Sequence, residues 1–195
     1  MLAAVILSGG ASSRMGSPKA LLPYQGRPFL EHLLEVTVHP QIGVRRVVLG
    51  AHAEPIAKNI ALAADEIVIN EAWESGQLSS IQSAIRSLPE GTDGLLLCLI
   101  DHPLISRALV DELIVRFYAA PAKIVLPVYE GRRGHPVIFS SLLYQELLEA
   151  PADKGARAVV WAHAAEVVEL PTTEEGCVLN LNDPETLHRA TRLSD

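Results

Sequence analysis

The sequence predicts an α/β fold, a single domain whose mostly parallel sheet carries helices on both faces. Three observations predict it. Two short, wholly apolar runs, Leu2 to Leu7 and Leu95 to Ile100, and a third, Val44 to Leu49, interrupted only by Arg45-Arg46, read as buried strands. Between them stand stretches whose apolar residues recur at helical spacing, so strand and helix alternate, as a parallel sheet with crossover helices requires. The runs also end abruptly, at Ser8-Gly9-Gly10, at Gly50 and at Asp101, the strand ends where open α/β sheets hold ligands.

The first strand, Leu2 to Leu7, feeds a loop that is small, hydroxylated and basic, running from Ser8 to Lys19. Adjacent glycines let the chain turn and let a ligand approach bare backbone N–H groups, which makes this stretch a candidate phosphate cradle. Arg14 and Lys19 supply fixed positive charge, one as a planar fork and one as a point charge. The common phosphate loops do not fit. Glycines at 9, 10 and 16 miss the dinucleotide Gly-x-Gly-x-x-Gly spacing, and Gly16 is followed by Ser17 where the mononucleotide P-loop needs Lys.

Next, Leu21 to Pro28 reads as an extended piece and turn, with Pro28 at the first position of a helix through Phe29, Leu30, Leu33, Leu34 and Val38 that His39-Pro40 ends. Val44 to Leu49 is the second strand, Glu54 to Ala64 a helix, and Glu66 to Ile69 a third strand. The segment Asn70 to Ser80 interrupts this rhythm at a strand end and runs into a helix predicted over Ile81 to Leu88. Ser79 and Ser80 there suit either helix caps or ligand contacts.

Leu95 to Ile100 is the most apolar run and reads as the central strand. Asp101, at its carboxyl end, either caps the turn before a helix over Ser106 to Tyr118 or holds a divalent cation against phosphate oxygens. A strand over Lys123 to Pro127 is followed by Arg132-Arg133-Gly134-His135-Pro136, whose charge suits an anionic ligand, and by a further strand. Pro151 to Arg157 is a charged loop opening a helix over Ala156 to Ala164. Val167 to Leu170 is a late strand, and Asp183 and Pro184 have the residue types of an N-cap and first turn for a helix over Glu185 to Arg192.

Bulk properties narrow the partners. The chain has 195 residues, 49% hydrophobic and 20% charged, enough for one domain with a substantial core. A formal net charge of −7 counts against a general nucleic-acid binder but not against a nucleotide. No apolar run approaches the roughly 20 residues of a membrane span, and no basic segment precedes the first apolar run, so neither membrane nor signal peptide is expected and the expected location is cytoplasmic. Cys98 and Cys177 read as buried thiols. His32, His39, His52, His163 and His188 show no ligand spacing.

Several of these stretches together resemble one family. Leu7-Ser8-Gly9-Gly10-Ala11-Ser12-Ser13-Arg14-Met15-Gly16-Ser17-Pro18-Lys19 is similar to the nucleotidyltransferase signature Leu-Ala-Gly/Ala-Gly-x-Ser-x-Arg-Met-Gly-x-x-Lys, with Ser8 in place of Ala. The short gap to Lys19 resembles the molybdenum cofactor branch of these enzymes. Asn70 to Ser80 resembles that branch's nucleotide-pocket segment, Asp101-His102-Pro103 its Asp-x-Pro metal motif, and Arg133 to Phe139 and Asp153 to Arg157 its acceptor-side motifs. Two departures stand out, His102 after the Asp and Asp183 in place of Thr in Asn180-Leu181-Asn182-Asp183-Pro184-Glu185.

The resemblance implies a Rossmann-like, nucleotide-diphospho-sugar transferase type of fold and the transfer of CMP from CTP to the phosphate of molybdopterin, with Mg²⁺. GTP is the alternative nucleotide. It assigns Arg14, Lys19 and Asp101 to catalysis, with Asp101 on the metal. Leu7, Ser8, Gly9, Gly10, Ser12, Arg14, Lys19, Asn70, Gly76, Ser79 and Ser80 go to the nucleotide. Arg133, Gly134, His135, Asp153, Lys154, Asn180 and Asn182 go to the acceptor. A molybdoenzyme or its chaperone is the implied protein partner. Asn180, Asn182 and Gly9 favour the guanylyl type, while the longer acceptor-side stretches favour the cytidylyl type, which is the reading preferred from sequence. A dinucleotide-binding dehydrogenase is opposed by the glycine spacing and by Leu49-Gly50 where an acidic residue is needed. A catalytically silent nucleotide-binding relative is the other reading kept.

Overall fold

The computed structural model describes residues 1–12, 15–119, 122–183 and 185–187. Arg14, Pro184 and most of the helix expected over Glu185 to Arg192 lie outside the described residues.

The first apolar run forms strand β1 (Leu2–Ser8), buried along its whole length. A 3₁₀ turn at Lys19–Leu21 and a two-stranded ribbon, β2 (Pro23–Tyr24) and β3 (Arg27–Pro28), lead into helix α1 (Phe29–Val36). Then come β4 (Ile42–Leu49), α2 (Ala53–Asn59), β5 (Ile67–Ile69), α3 (Gln77–Arg86) and β6 (Gly94–Leu99). The second half holds α4 (Arg107–Ala119), β7 (Ile124–Tyr129), β8 (Arg132–Arg133), β9 (Val137–Ser140), α5 (Tyr144–Glu149), α6 (Arg157–Ala162) and β10 (Val167–Pro171).

Strand order is β10-β7-β9-β6-β1-β4-β5, with β8 paired to β7. β1 runs parallel to both β4 and β6, while β9 enters antiparallel between β6 and β7. The sheet is therefore mostly parallel, as the sequence predicts. From β1 the chain winds outward through β4 to β5, then returns to the other side of β1 for β6, and that reversal opens a crevice beyond the carboxyl ends of β1 and β6.

Period-two alternation divides the core. Leu2 and Ile6 of β1, with Leu96 and Cys98 of β6, face α1, α2 and α4, while Val5, Leu7, Leu95 and Leu97 face α3, α5 and α6. Burying each large aliphatic side chain contributes about 1.5–3 kcal/mol, so both faces of these two strands are strongly specified. A third cluster joins Tyr24 and Phe29 to Leu181, which fixes the late segment 177–183 over the first loop.

Several boundaries differ from expectation for local physical reasons. α1 ends at Val36, and Val38 is 56% exposed instead of continuing the apolar stripe. α2 stops at Asn59 because Ile60 turns extended to bury itself in the core. α3 begins at Gln77, four residues before the predicted start, so Ser79 and Ser80 lie within its first turn and are not caps. The N-cap position belongs to Gly76, whose φ of +99° is in the range that glycine alone adopts without strain. Helix α5 is absent from the sequence-based prediction.

Candidate active site

The crevice is a cleft of about 980 Å³, within the size range of small-molecule sites. Its deepest contact joins three distant stretches. Lys19 Nζ donates to Asn182 Oδ1 at 2.5 Å and lies 3.9 Å from Asp101 Oδ2. Both charged side chains are largely enclosed, 16% and 23% exposed, so their attraction is less screened than a surface pair's. The topology explains the meeting. Leu7 O at the end of β1 accepts the N–H of Ile100 beyond β6, and Asp101 O accepts that of Leu181 at 2.8 Å.

The glycine loop is held from two sides. Ser12, at φ +51°, accepts the backbone N–H of Lys19 through Oγ at 3.1 Å, closing the loop on itself. Gly9 O accepts the N–H of Ala51, and His52 Nε2 sits 2.8 Å from Ala11 O, so the turn after β4 braces the loop from outside. That bracing needs Gly50. A Cβ there would lie 2.7 Å from Trp73 Cβ and would meet Gly9 O. Gly9 itself is tightly packed, since a Cβ would come 3.1 Å from Ser80 Oγ, whereas at Gly10 the space is open. The bare backbone around Gly10 therefore faces the cleft, as a phosphate cradle requires.

Of the residues expected at the nucleotide, Leu7, Ser8, Gly9, Gly10, Ser12 and Lys19 line the cleft, and so do Gly76 and Ser80. Asn70 and Ser79 do not, and their hydrogen bonds say why. Asn70, 2% exposed, donates through Nδ2 to Ser79 Oγ at 2.8 Å and Ser80 Oγ at 2.9 Å, and accepts Ala72 N–H through Oδ1. Ser79 Oγ has Ala72 O at 2.9 Å and Gly76 O at 2.8 Å as acceptors for its single proton. Both side chains are engaged in shaping the 70–80 turn. Arg14 lies outside the described residues.

On the other side, Arg133, Gly134, His135, Asp153, Lys154, Asn180 and Asn182 all border the cleft. The Arg133 guanidinium is engaged at its edge by Glu169, Nε to Oε1 at 2.7 Å. Arg132 and Arg157 also line this half, so positive charge outweighs Asp153 on this wall. Gly134 is required by close approach, since a Cβ would press on the Cys177 backbone at 2.5 Å, and Cys177 O accepts His135 N–H at 2.8 Å.

His102 and His135 form a pair at the floor, ring centroids 5.1 Å apart and tilted by 47°. Burial pushes both below the usual imidazole range, His135 to about 3 with His102 the next cause, so both rings are uncharged at neutral pH. For His102 the burial effect outweighs Asp101, which acts in the opposite sense. Each ring's Nδ1 is buried without a hydrogen-bond partner among the described residues. Burial likewise raises the thiols, Cys98 to about 12 and Cys177 to about 11, so neither is a nucleophile near neutral pH.

Trp73 and His102 lie inside motifs the sequence shows but were given no role there, and Trp161 lies in none. Their roles come from contacts between segments far apart in the chain. Gly50 had a visible signal, a glycine closing an apolar strand.

Oxygen donors for a divalent cation are present in the Asp101 carboxylate and the Asn182 amide carbonyl. No group of three or more His, Cys, Asp and Glu able to hold a metal occurs among the described residues. This sparse, hard donor set fits Mg²⁺ carried by substrate phosphates, which needs only one or two protein carboxylates. No helix among the described residues is long and apolar enough to cross a membrane.

Comparison with known proteins agrees with this geometry. Nicotine blue oxidoreductase of Paenarthrobacter nicotinovorans is 32% identical over 162 residues, 78% of each chain. The molybdenum cofactor guanylyltransferase of Rhizobium meliloti (strain 1021) is 30% identical over 198 residues, covering 96% of this chain and 89% of that one. The crystal structure of Rv0371c from Mycobacterium tuberculosis H37Rv superposes with a TM-score of 0.83 at 27% identity over 98% of both chains, and its manganese complex with a TM-score of 0.77 at 26% identity over 100% and 99%. Relatives named for work on the molybdenum cofactor, that of Rhizobium meliloti among them, are guanylyltransferases, so the sequence-based preference for CTP finds no support there. The family model described as the MobA-like NTP transferase domain matches residues 4–167, and the chain belongs to that nucleotidyltransferase family.

Proposed function

We propose that this cleft transfers a nucleotidyl group from an Mg²⁺-bound NTP to the phosphate of molybdopterin, releasing pyrophosphate. The observation that carries the reading is the meeting of Lys19, Asp101 and Asn182, a cation, a carboxylate and a neutral oxygen donor, beside an open glycine loop.

An acceptor phosphate oxygen attacks the α-phosphorus in line, a new P–O bond forms, and the bond to the bridging oxygen breaks as pyrophosphate leaves. The backbone around Gly10, with Ser12 and Arg14, holds the β- and γ-phosphates. Lys19 offsets charge growing on the bridging oxygen. Asp101 and Asn182 would hold the metal, which would supply neutralisation of phosphate charge. Arg132, Lys154 and Arg157 attract the anionic acceptor to the opposite wall. No general base is needed, because a phosphate monoester is already anionic near neutral pH and catalysis reduces to alignment and charge neutralisation.

GTP is the nucleotide favoured by similarity to the molybdenum cofactor guanylyltransferases, and CTP is the second reading, favoured by the acceptor-side stretches at Arg133–His135 and Asp153–Arg157. A pyrophosphate-release panel with GTP, CTP, ATP and UTP in the presence of molybdopterin separates them. GTP-dependent release is expected. Preference for CTP selects the second reading, and nucleotide binding without turnover on any acceptor leaves the silent-relative reading instead. The 32% identity to an oxidoreductase supplies one further arm, nicotine blue with reduced nicotinamide nucleotides, in which no colour change is expected.

A further inference from the structure

Of the side chains that α6 turns to the cleft, the chemistry above uses only Arg157. Arg157, Val160 and Trp161 stand at i, i+3 and i+4 on α6, which places them on one helical face, and all three line the cleft. Val159, between them in sequence, points the other way and is 4% exposed in the core. The helix thus turns a stable anchor inward and presents a cation and an indole to the cavity. Trp161 remains 61% exposed there.

A lone exposed tryptophan on a convex surface needs no explanation. One beside an arginine, on the wall of a cleft, offers a flat apolar face with a hydrogen-bond donor at its rim, the arrangement that planar rings stack upon. The His102–His135 pair lines the same cleft as Arg157 and Trp161. His102 is 4% exposed, and a buried imidazole nitrogen without a protein partner calls for one from a ligand or an ordered water. Beside the glycine loop the aromatic is Trp73, packed against the Gly9–Gly50 contact, so both tryptophans of the chain line the cleft.

We propose that Trp161, with Arg157 beside it on one helical face and the His102–His135 pair in the same cleft, forms a binding site for a planar nitrogen-containing ring that bears an anionic arm, and that Trp161 is the residue that stacks on the ring. The inference rests on the acceptor-side reading above and deepens it. It assigns specificity for the acceptor's ring to α6, while phosphate recognition stays with the basic residues.

The probe is a pterin carboxylate, a planar ring with an anionic arm and no phosphate, titrated by calorimetry without nucleotide or turnover. Wild-type protein binds it, Trp161→Ala weakens binding by about tenfold or more, and Trp161→Phe retains most of it. NTP dissociation constants stay within about twofold in both variants, and because Trp161 is exposed, thermal melting checks that the fold is kept. Absence of wild-type binding, or equal binding by Trp161→Ala, overturns the proposal. Ring binding that depends on Trp161 supports it even if the NTP panel shows no turnover, in which case only the transfer reading fails. Turnover with an acceptor KM unchanged by Trp161→Ala removes the stacking role and leaves the transfer reading standing.

Discussion

Lys19 Nζ reaches Asn182 Oδ1 at 2.5 Å across 163 positions of sequence, and the same ammonium group lies 3.9 Å from Asp101 Oδ2. The arrangement ties the glycine loop, the end of β6 and the late segment together before any substrate arrives. If Lys19 stabilises the leaving pyrophosphate, Lys19→Ala lowers kcat by about 10²-fold or more with little change in NTP affinity, as loss of a transition-state contact does. Steady-state kinetics with saturating Mg²⁺ measure this. Unchanged turnover would remove Lys19 from the chemistry.

Asn182 offers a metal only a neutral oxygen. Asn182→Asp adds a carboxylate next to Asp101 and Lys19, so half-saturation by Mg²⁺ is expected at a lower concentration, while Asn182→Ala raises it. A titration of pyrophosphate release against Mg²⁺ at fixed NTP decides. Identical curves for all three proteins would place Asn182 outside the metal site.

Asn70 tests the division between residues that hold the wall and residues that line it. Its side chain makes three hydrogen bonds inside the 70–80 turn while almost wholly buried. Asn70→Ala leaves Ser80 Oγ and Ala72 N–H without that partner, at a cost of about 1–3 kcal/mol. Both the urea midpoint and NTP affinity are expected to fall, although Asn70 does not border the cleft. A loss of affinity with no loss of stability would instead mean that Asn70 meets the nucleotide directly.

Much of this was legible in the sequence, and the reasons differ by residue. β1 and β6 are buried on both faces, so apart from Ser8 at the end of β1 they carry no polar side chain, and such runs stand out in any chain. Topology then places Gly10 and Asp101 on one crevice, because strands returning to either side of β1 put their carboxyl ends together. What sequence spacing missed depends on packing between distant segments. Gly50 matters because Gly9 O and Trp73 sit against it. The start of α3 at Gln77 was hidden because its first turn is mostly polar, and α5 is only six residues long, too short for its period to register. Asn70 and Ser79 carried the right residue types for ligand contacts, and only their hydrogen bonds distinguish bracing from binding.

His163 provides a pH-dependent contact remote from the cleft. Nδ1 lies 2.8 Å from Glu166 Oε1 and Nε2 lies 2.8 Å from Glu146 Oε2, so both nitrogens face carboxylates and the ring bridges α5 to the turn before β10. These hydrogen bonds, Glu166's first and Glu146's next, raise its proton affinity above the ordinary imidazole value, while Glu166 is held below the usual carboxylate range by the same contact. A group whose folded pKa is raised contributes stability fully present below its unfolded value of about 6.5, and lost as pH rises through the folded value. Wild type is therefore expected to exceed His163→Gln in urea midpoint at pH 6, with the gap closing toward pH 9. A gap that widened with pH would mean that the neutral ring makes the stabilising contact, the reverse of what two facing carboxylates impose.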